Sequence, residues 1–146
     1  MNNRVILLVE DNPDDVLLTV EALAANRISN KVVVAHNGVE ALDYLFGKGI
    51  YVDRDITDLP VFVLLDLKLP KIDGLEVLQQ IRADERTRLI PAVILTSSVE
   101  DKDRLEGYLM GANSYVHKLV DYDDFVRLIG QLGYYWLMLN VSPHGH

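Results

Sequence analysis

The stretch Val5-Ile6-Leu7-Leu8-Val9-Glu10-Asp11-Asn12-Pro13-Asp14-Asp15 decides the architecture of this 146-residue chain. Its apolar run is too short for a buried helix and ends abruptly in acids, so it reads as a central strand buried on both faces. Pro13 suits the first turn of a helix behind an Asp or Asn cap, because an N–H there would lack an intrahelical partner anyway. Val16, Leu17, Val20, Leu23 and Ala24 then follow at helical spacing on one face.

Working outward, the same alternation recurs. Residues 31–36 (KVVVAH) predict a second strand, Asn37-Gly38 breaks it, and Val39, Leu42, Leu45 and Phe46 resume a helix. Residues 47–58 (GKGIYVDRDITD) are irregular and read as an exposed insertion rather than a partner loop. Residues 60–66 (PVFVLLD) predict the third strand, with Leu75, Val77, Leu78 and Ile81 on the helix behind it. A fourth strand spans residues 91–96 (PAVILT), Leu105, Tyr108 and Leu109 mark its helix, and Gly111 stops that helix. Residues 114–118 (SYVHK) form a fifth strand, and Asp121 or Asp123 caps a last helix through Phe125, Leu128, Ile129 and Leu132. Five strand–helix repeats with fully apolar strands demand a parallel sheet covered on both faces and joined by right-handed crossovers. The expected class is α/β, doubly wound, with five strands and five helices.

Composition narrows the function. Twenty-two acidic against 14 basic side chains give a net charge of −8, which repels phosphate backbones and anionic lipid, so neither nucleic acid nor a membrane surface is an expected partner. The absence of cysteine excludes thiolate metal sites and a cysteine nucleophile. No uncharged run reaches the ~20 apolar residues of a membrane span. With no secretion-type cleavage pattern near Met1, a cytoplasmic address is expected.

Parallel sheets bind ligands at the carboxyl ends of their strands. Those ends carry Glu10 and Asp11, Asp66, Thr96 and Lys118. If these four strands lie side by side, three carboxylates, a hydroxyl and an ammonium share one edge. Carboxylates cannot crowd together ionised without a cation, and an all-oxygen ligand set points to Mg2+. With Lys118 and Thr96 opposite, the opening suits a phosphoryl group, and Asp66 is the candidate nucleophile. No residue stands out as a general base for rapid water attack, so an aspartyl phosphate should persist, as a signal rather than as an enzyme's turnover intermediate.

These motifs resemble the receiver domain of two-component response regulators. LLVEDNPDD resembles its acidic metal-binding corner, with Glu10 and Asp11, and VLLDLKLPKIDG its phosphoacceptor segment. The resemblance implies a flavodoxin-like sheet of order 2-1-3-4-5 over residues 1–132, Asp66 as acceptor and the Lys68 backbone carbonyl as a further Mg2+ ligand. ILTSS places the family's hydroxyl at Thr96, and SYVHK places its lysine at Lys118 and its aromatic switch at Tyr115. A sensor histidine kinase is the implied phosphoryl donor. The chain departs from the family at Leu119, where proline usually follows the lysine; a cis bond before leucine costs about 2.5–4 kcal/mol, so a trans bond and a rearranged loop are expected.

The ending LGYYWLMLN, residues 132–140, is apolar on every side of a helix, more than one domain buries. With DNPDD and the long loop after the second helix, it resembles single-domain regulators paired with bacterial phytochrome-type kinases. Residues 133–146 are therefore expected to extend the last helix and serve a homodimer formed through the fourth and fifth strand–helix faces. Tyr135, Trp136 and Leu139 are placed near that contact. The alternative is a helix docked on its own domain. His36, His117, His144 and His146 lack ligand spacing and read as surface residues.

Three other functions compete. An aspartyl-nucleophile phosphatase needs a second aspartate where Lys68 stands. A flavin carrier needs a glycine-rich loop after the first strand. A phosphorylation-independent scaffold would use the same fold and partners.

Overall fold

The computed structural model describes residues 4–143; His144 and His146 lie outside them. Strands β1 (Ile6–Val9), β2 (Val32–Ala35), β3 (Phe62–Leu65), β4 (Ala92–Thr96) and β5 (Ser114–His117) form one parallel sheet in the order β2-β1-β3-β4-β5. Helices α1 (Pro13–Ala25), α2 (Gly38–Phe46), α3 (Gly74–Ala83), α4 (Asp101–Leu109) and α5 (Tyr122–Tyr134) alternate with them. Both the doubly wound class and the expected strand order hold.

Period two of the strands divides the core into two layers. Ile6, Leu8, Phe62, Leu64, Val93 and Leu95 pack with Ala22, Leu23, Phe125 and Ile129 of α1 and α5. Leu7, Val9, Val63, Leu65 and Ile94 pack with Ala41, Leu45, Val77, Leu78 and Ile81 of α2 and α3. Val9 pairs with Leu65, so Glu10 and Asp66 leave the sheet side by side at the point where strand order reverses. Asn12 caps α1 by accepting from the Asp14 and Asp15 amides, with Pro13 behind it, and Asp121 rather than Asp123 caps α5.

Packing departs from the sequence pattern in four places. The inner face of α1 is rotated: Thr19 is buried, its hydroxyl donating to the Asp15 carbonyl at 2.8 Å, while Leu17 and Ala24 face solvent. The apolar residues that mark α4 turn away from the core: the helix seats through Gly107, where an added Cβ would meet Ile94 Cδ1 at 2.7 Å, and Leu105, Tyr108 and Leu109 point outward. The 47–58 segment is the exposed insertion expected, with Ile50 and Val52 in solvent, but it is also pinned, which the pattern does not show: Arg54 donates to the Tyr44 carbonyl at 2.6 Å and lies 4.0 Å over its ring.

The fourth departure concerns the tail. After α5 the chain widens into a π-helical turn over Tyr135–Leu139, closed by the Asn140 amide on the Tyr135 carbonyl at 2.7 Å. This turns Trp136 onto Phe62, centroids 6.4 Å apart, and leaves it only 8% exposed. Trp136 therefore belongs to its own core, a correction to its placement at a contact surface; Tyr135 and Leu139 remain 47% and 57% exposed. Among the described residues no helix is long and apolar enough to cross a membrane, and no peptide bond is cis, Lys118-Leu119 included.

Candidate functional site at the carboxyl edge of the sheet

The ends of β1, β3 and β5 converge on one ammonium. Lys118 Nζ donates to Glu10 Oε1 at 2.6 Å, Asp15 Oδ2 at 2.9 Å and Asp66 Oδ2 at 3.1 Å. Leu119 does not prevent this reach. Thr96, fully buried, ends β4; its carbonyl accepts from the Lys118 amide at 2.8 Å and its hydroxyl from the Ser98 amide at 3.3 Å. The Lys68 amide turns back toward Asp66 Oδ1 at 3.4 Å. Tyr115 donates its hydroxyl to the Ser98 carbonyl at 3.3 Å. Tyr135 and Trp136 lie at the opposite edge, beside Pro91 and Ser114.

Electrostatics mark the edge as short of positive charge. Burial pushes the Glu10 carboxyl up to about 7, and the charge of Asp66 adds to this against hydrogen bonds from Lys118 and the Asn12 amide. For Lys118, burial works downward, but the hydrogen bonds to Glu10 and Asp15 and the charge of Asp66 outweigh it and hold the ammonium above its ordinary range. Glu10, Asp11 and Asp66 each present an oxygen within 4.8 Å of the others. A hard divalent cation fits this donor set and would favour the ionised Glu10 carboxylate. A cleft of about 340 Å³ lined in part by Asp11, Lys68, Asp73 and Asp103 opens beside it.

The expected residues Glu10, Asp11, Asp66 and Lys118 are thus brought together, with Thr96 on the adjoining strand and Tyr115 one strand further. Three neighbours escaped sequence reasoning. Asp15 reads as a helix first-turn acid that favours the dipole, and so does Asp103. Ser98 stands in ILTSS, but nothing in that motif shows its hydroxyl turned onto Asp103 at 2.6 Å. His36 meets Glu40 at 3.3 Å and is exposed, as a surface histidine should be.

The sequence model described as "Response regulator receiver domain" matches residues 6–130. The chain is 41% identical over 142 residues to the probable methanogenesis regulatory protein FilR2 of Methanothrix harundinacea, covering 95% of this chain and 87% of that protein. It is 34% identical over 140 residues to the response regulator Rcp1 of Synechocystis, covering 96% and 93%. The crystal structure of Mn2+-bound Rcp1 superposes with a TM-score of 0.87 over 96% of this chain and 99% of that one. The phosphorylated cyanobacterial phytochrome response regulator RcpA superposes with a TM-score of 0.90 at 34% identity, covering 97% and 99%. The bacteriophytochrome response regulator AtBRR does so at 0.76 with 50% identity, covering 96% and 99%.

Proposed function

The chain belongs to the response regulator receiver domain family of two-component signalling, and from that membership we propose that Asp66 accepts a phosphoryl group from the phosphohistidine of a sensor kinase. The observation that carries this reading is the Lys118 ammonium within 3.1 Å of Glu10, Asp15 and Asp66. An Asp66 carboxylate oxygen forms the new P–O bond as the P–N bond of the donor breaks, and that electron pair returns to the imidazole nitrogen. Glu10, Asp11, Asp66 and the Lys68 carbonyl would hold Mg2+, which supplies positive charge at the phosphoryl oxygens. Lys118 neutralises the same oxygens from its side, and the Thr96 hydroxyl donates to one of them. With Glu10 bonded to Lys118 at 2.6 Å and held together with Asp11 by the proposed cation, neither carboxylate is left to activate water, so the phosphate persists and the protein acts as a switch rather than an enzyme.

Thr96 and Lys118 sense the added charge, Tyr115 follows, and the face made by α4, β5 and α5 changes its contacts. The exposed Leu105, Tyr108 and Leu109 of α4 support that face as a docking surface. Residues 1–132 serve as the receiver and 133–146 as its extension. A homodimer forms through this face with Tyr135 and Leu139 near the contact. A phytochrome-type kinase in the cytoplasm is the donor, a choice supported by the likeness to RcpA and AtBRR.

Transfer is tested with a phytochrome-type kinase autophosphorylated with labelled ATP and mixed with this chain in Mg2+. Label should leave the kinase and appear on the wild type but not on Asp66→Asn. Label retained on every kinase tried, with the chain folded, would favour the phosphorylation-independent scaffold. The dimer is tested by sedimentation at tens of micromolar. Tyr135→Ser with Leu139→Ser is expected to weaken association by at least about tenfold, since two buried apolar side chains contribute more than the ~1.4 kcal/mol this requires. A strictly monomeric wild type, phosphorylated or not, removes the dimer.

A further inference from the structure

Asp103 is an ionisable group that the phosphoryl chemistry above does not use, yet its side chain is only 10% exposed. A carboxylate is costly to bury unless paired and hydrogen-bonded. Its Oδ2 accepts from Ser98 Oγ at 2.6 Å and lies 3.5 Å from Lys68 Nζ. Both partners are tied to the site. Lys68 directs its amide toward Asp66 Oδ1 at 3.4 Å, while Ser98 gives its amide to the Thr96 hydroxyl at 3.3 Å and accepts at its carbonyl from Tyr115, also at 3.3 Å. One carboxylate oxygen therefore joins the loop after β3 to the loop after β4 and, through Ser98, to the ring on β5.

We propose that Asp103 is a positioning residue that holds Thr96, Ser98 and Tyr115 in the arrangement of the unphosphorylated chain and restrains the Thr96 hydroxyl from closing on a phosphoryl group at Asp66. This rests on Asp66 being the acceptor. The Lys68 ammonium is the releasable end of the link: it is 71% exposed and its contact is the longer of the two. A phosphoryl group two residues away attracts that ammonium, weakens its hold on Asp103 and frees the Ser98 loop. A packing role alone would be met by an apolar residue of similar size with no desolvation cost.

The test compares wild type, Asp103→Asn, Ser98→Ala and the double variant. Amide and ring NMR of the unphosphorylated proteins reads Ser98 and Tyr115; intact mass reads the rate of phosphoryl gain from acetyl phosphate with Mg2+. Asp103→Asn keeps size and loses charge. It is expected to speed phosphorylation by about 2- to 30-fold, the range of one coupling link, and to move the Tyr115 resonances toward those of phosphorylated wild type. Adding Ser98→Ala should change little more, because both act through one link. Unchanged rate and resonances with only a lower melting temperature assign Asp103 to packing and overturn the proposal, as does strict additivity of the two substitutions. If Asp103→Asn does not fold, Ser98→Ala carries the same readouts with the same expected direction. A wild type that gains no phosphoryl group overturns the reading of Asp66 first, and this inference with it.

Discussion

Lys118→Met is expected to lower stability by about 3 kcal/mol without divalent cation, the cost typical of removing one partner from a buried charge cluster. For a chain of this size that is roughly 6–12 °C in melting temperature. The substitution leaves Glu10, Asp15 and Asp66 facing one another, with Glu10 and Asp66 both buried. Part of the loss is absorbed by Glu10, whose carboxyl is already pushed up to about 7 and takes a proton readily. Mg2+ should restore more stability to Lys118→Met than it adds to wild type, because it supplies the missing positive charge to the same oxygens. Thermal melts with and without Mg2+ check this. Equal Mg2+ shifts in the two proteins would show that the ammonium and the metal do not answer to the same carboxylates.

Arg82→Met is expected to cost a similar amount, about 3 kcal/mol, with no sensitivity to Mg2+. Arg82 leaves the last turn of α3 and spends its guanidinium on backbone oxygens: Nε donates to Gly111 at 2.9 Å, and Nη1 to Ile90 at 2.7 Å and Arg88 at 2.9 Å. Nη2 donates to Asn113 Oδ1 at 2.9 Å, and that oxygen also accepts from the Ala92 amide at 2.8 Å. One side chain thus joins α3 to the starts of β4 and β5, away from the carboxylate edge. Gly111 is required beside it, since its φ of +102° is a glycine conformation and an added Cβ would meet Arg82 Cγ at 2.9 Å. Methionine keeps the stem but leaves these acceptors unpaired. A melting temperature within a degree or two of wild type would show that water replaces the guanidinium freely. A loss reversed by Mg2+ would mean that Arg82 belongs to the site after all.

How much of this was legible in the sequence depends on whether the signal is local. Val5–Val9, the Asn12-Pro13 helix start and the acids at strand ends are local, and so the sheet and the positions of Glu10, Asp11, Asp66 and Lys118 could be read directly. The strand order rested on family resemblance. What the pattern did not show needed three dimensions. Leu105, Tyr108 and Leu109 have helical spacing, but only the packed structure shows Gly107 as the contact that turns them outward. Thr19 looks polar until its hydroxyl is seen satisfied by its own helix. Trp136 looked like surplus surface because a widened turn, which no residue pattern announces, carries it onto Phe62. Asp15 and Asp103 each look like an ordinary first-turn acid, and their roles are set by partners 103 and 35 positions away, Lys118 and Lys68.

The central claim is tested most directly by intact mass after incubation with acetyl phosphate, with and without Mg2+, on wild type and Asp66→Asn. One added phosphoryl group only when both Mg2+ and Asp66 are present is the expected result. A folded wild type that gains no mass under any condition, or an Asp66→Asn chain that gains as much, would contradict it.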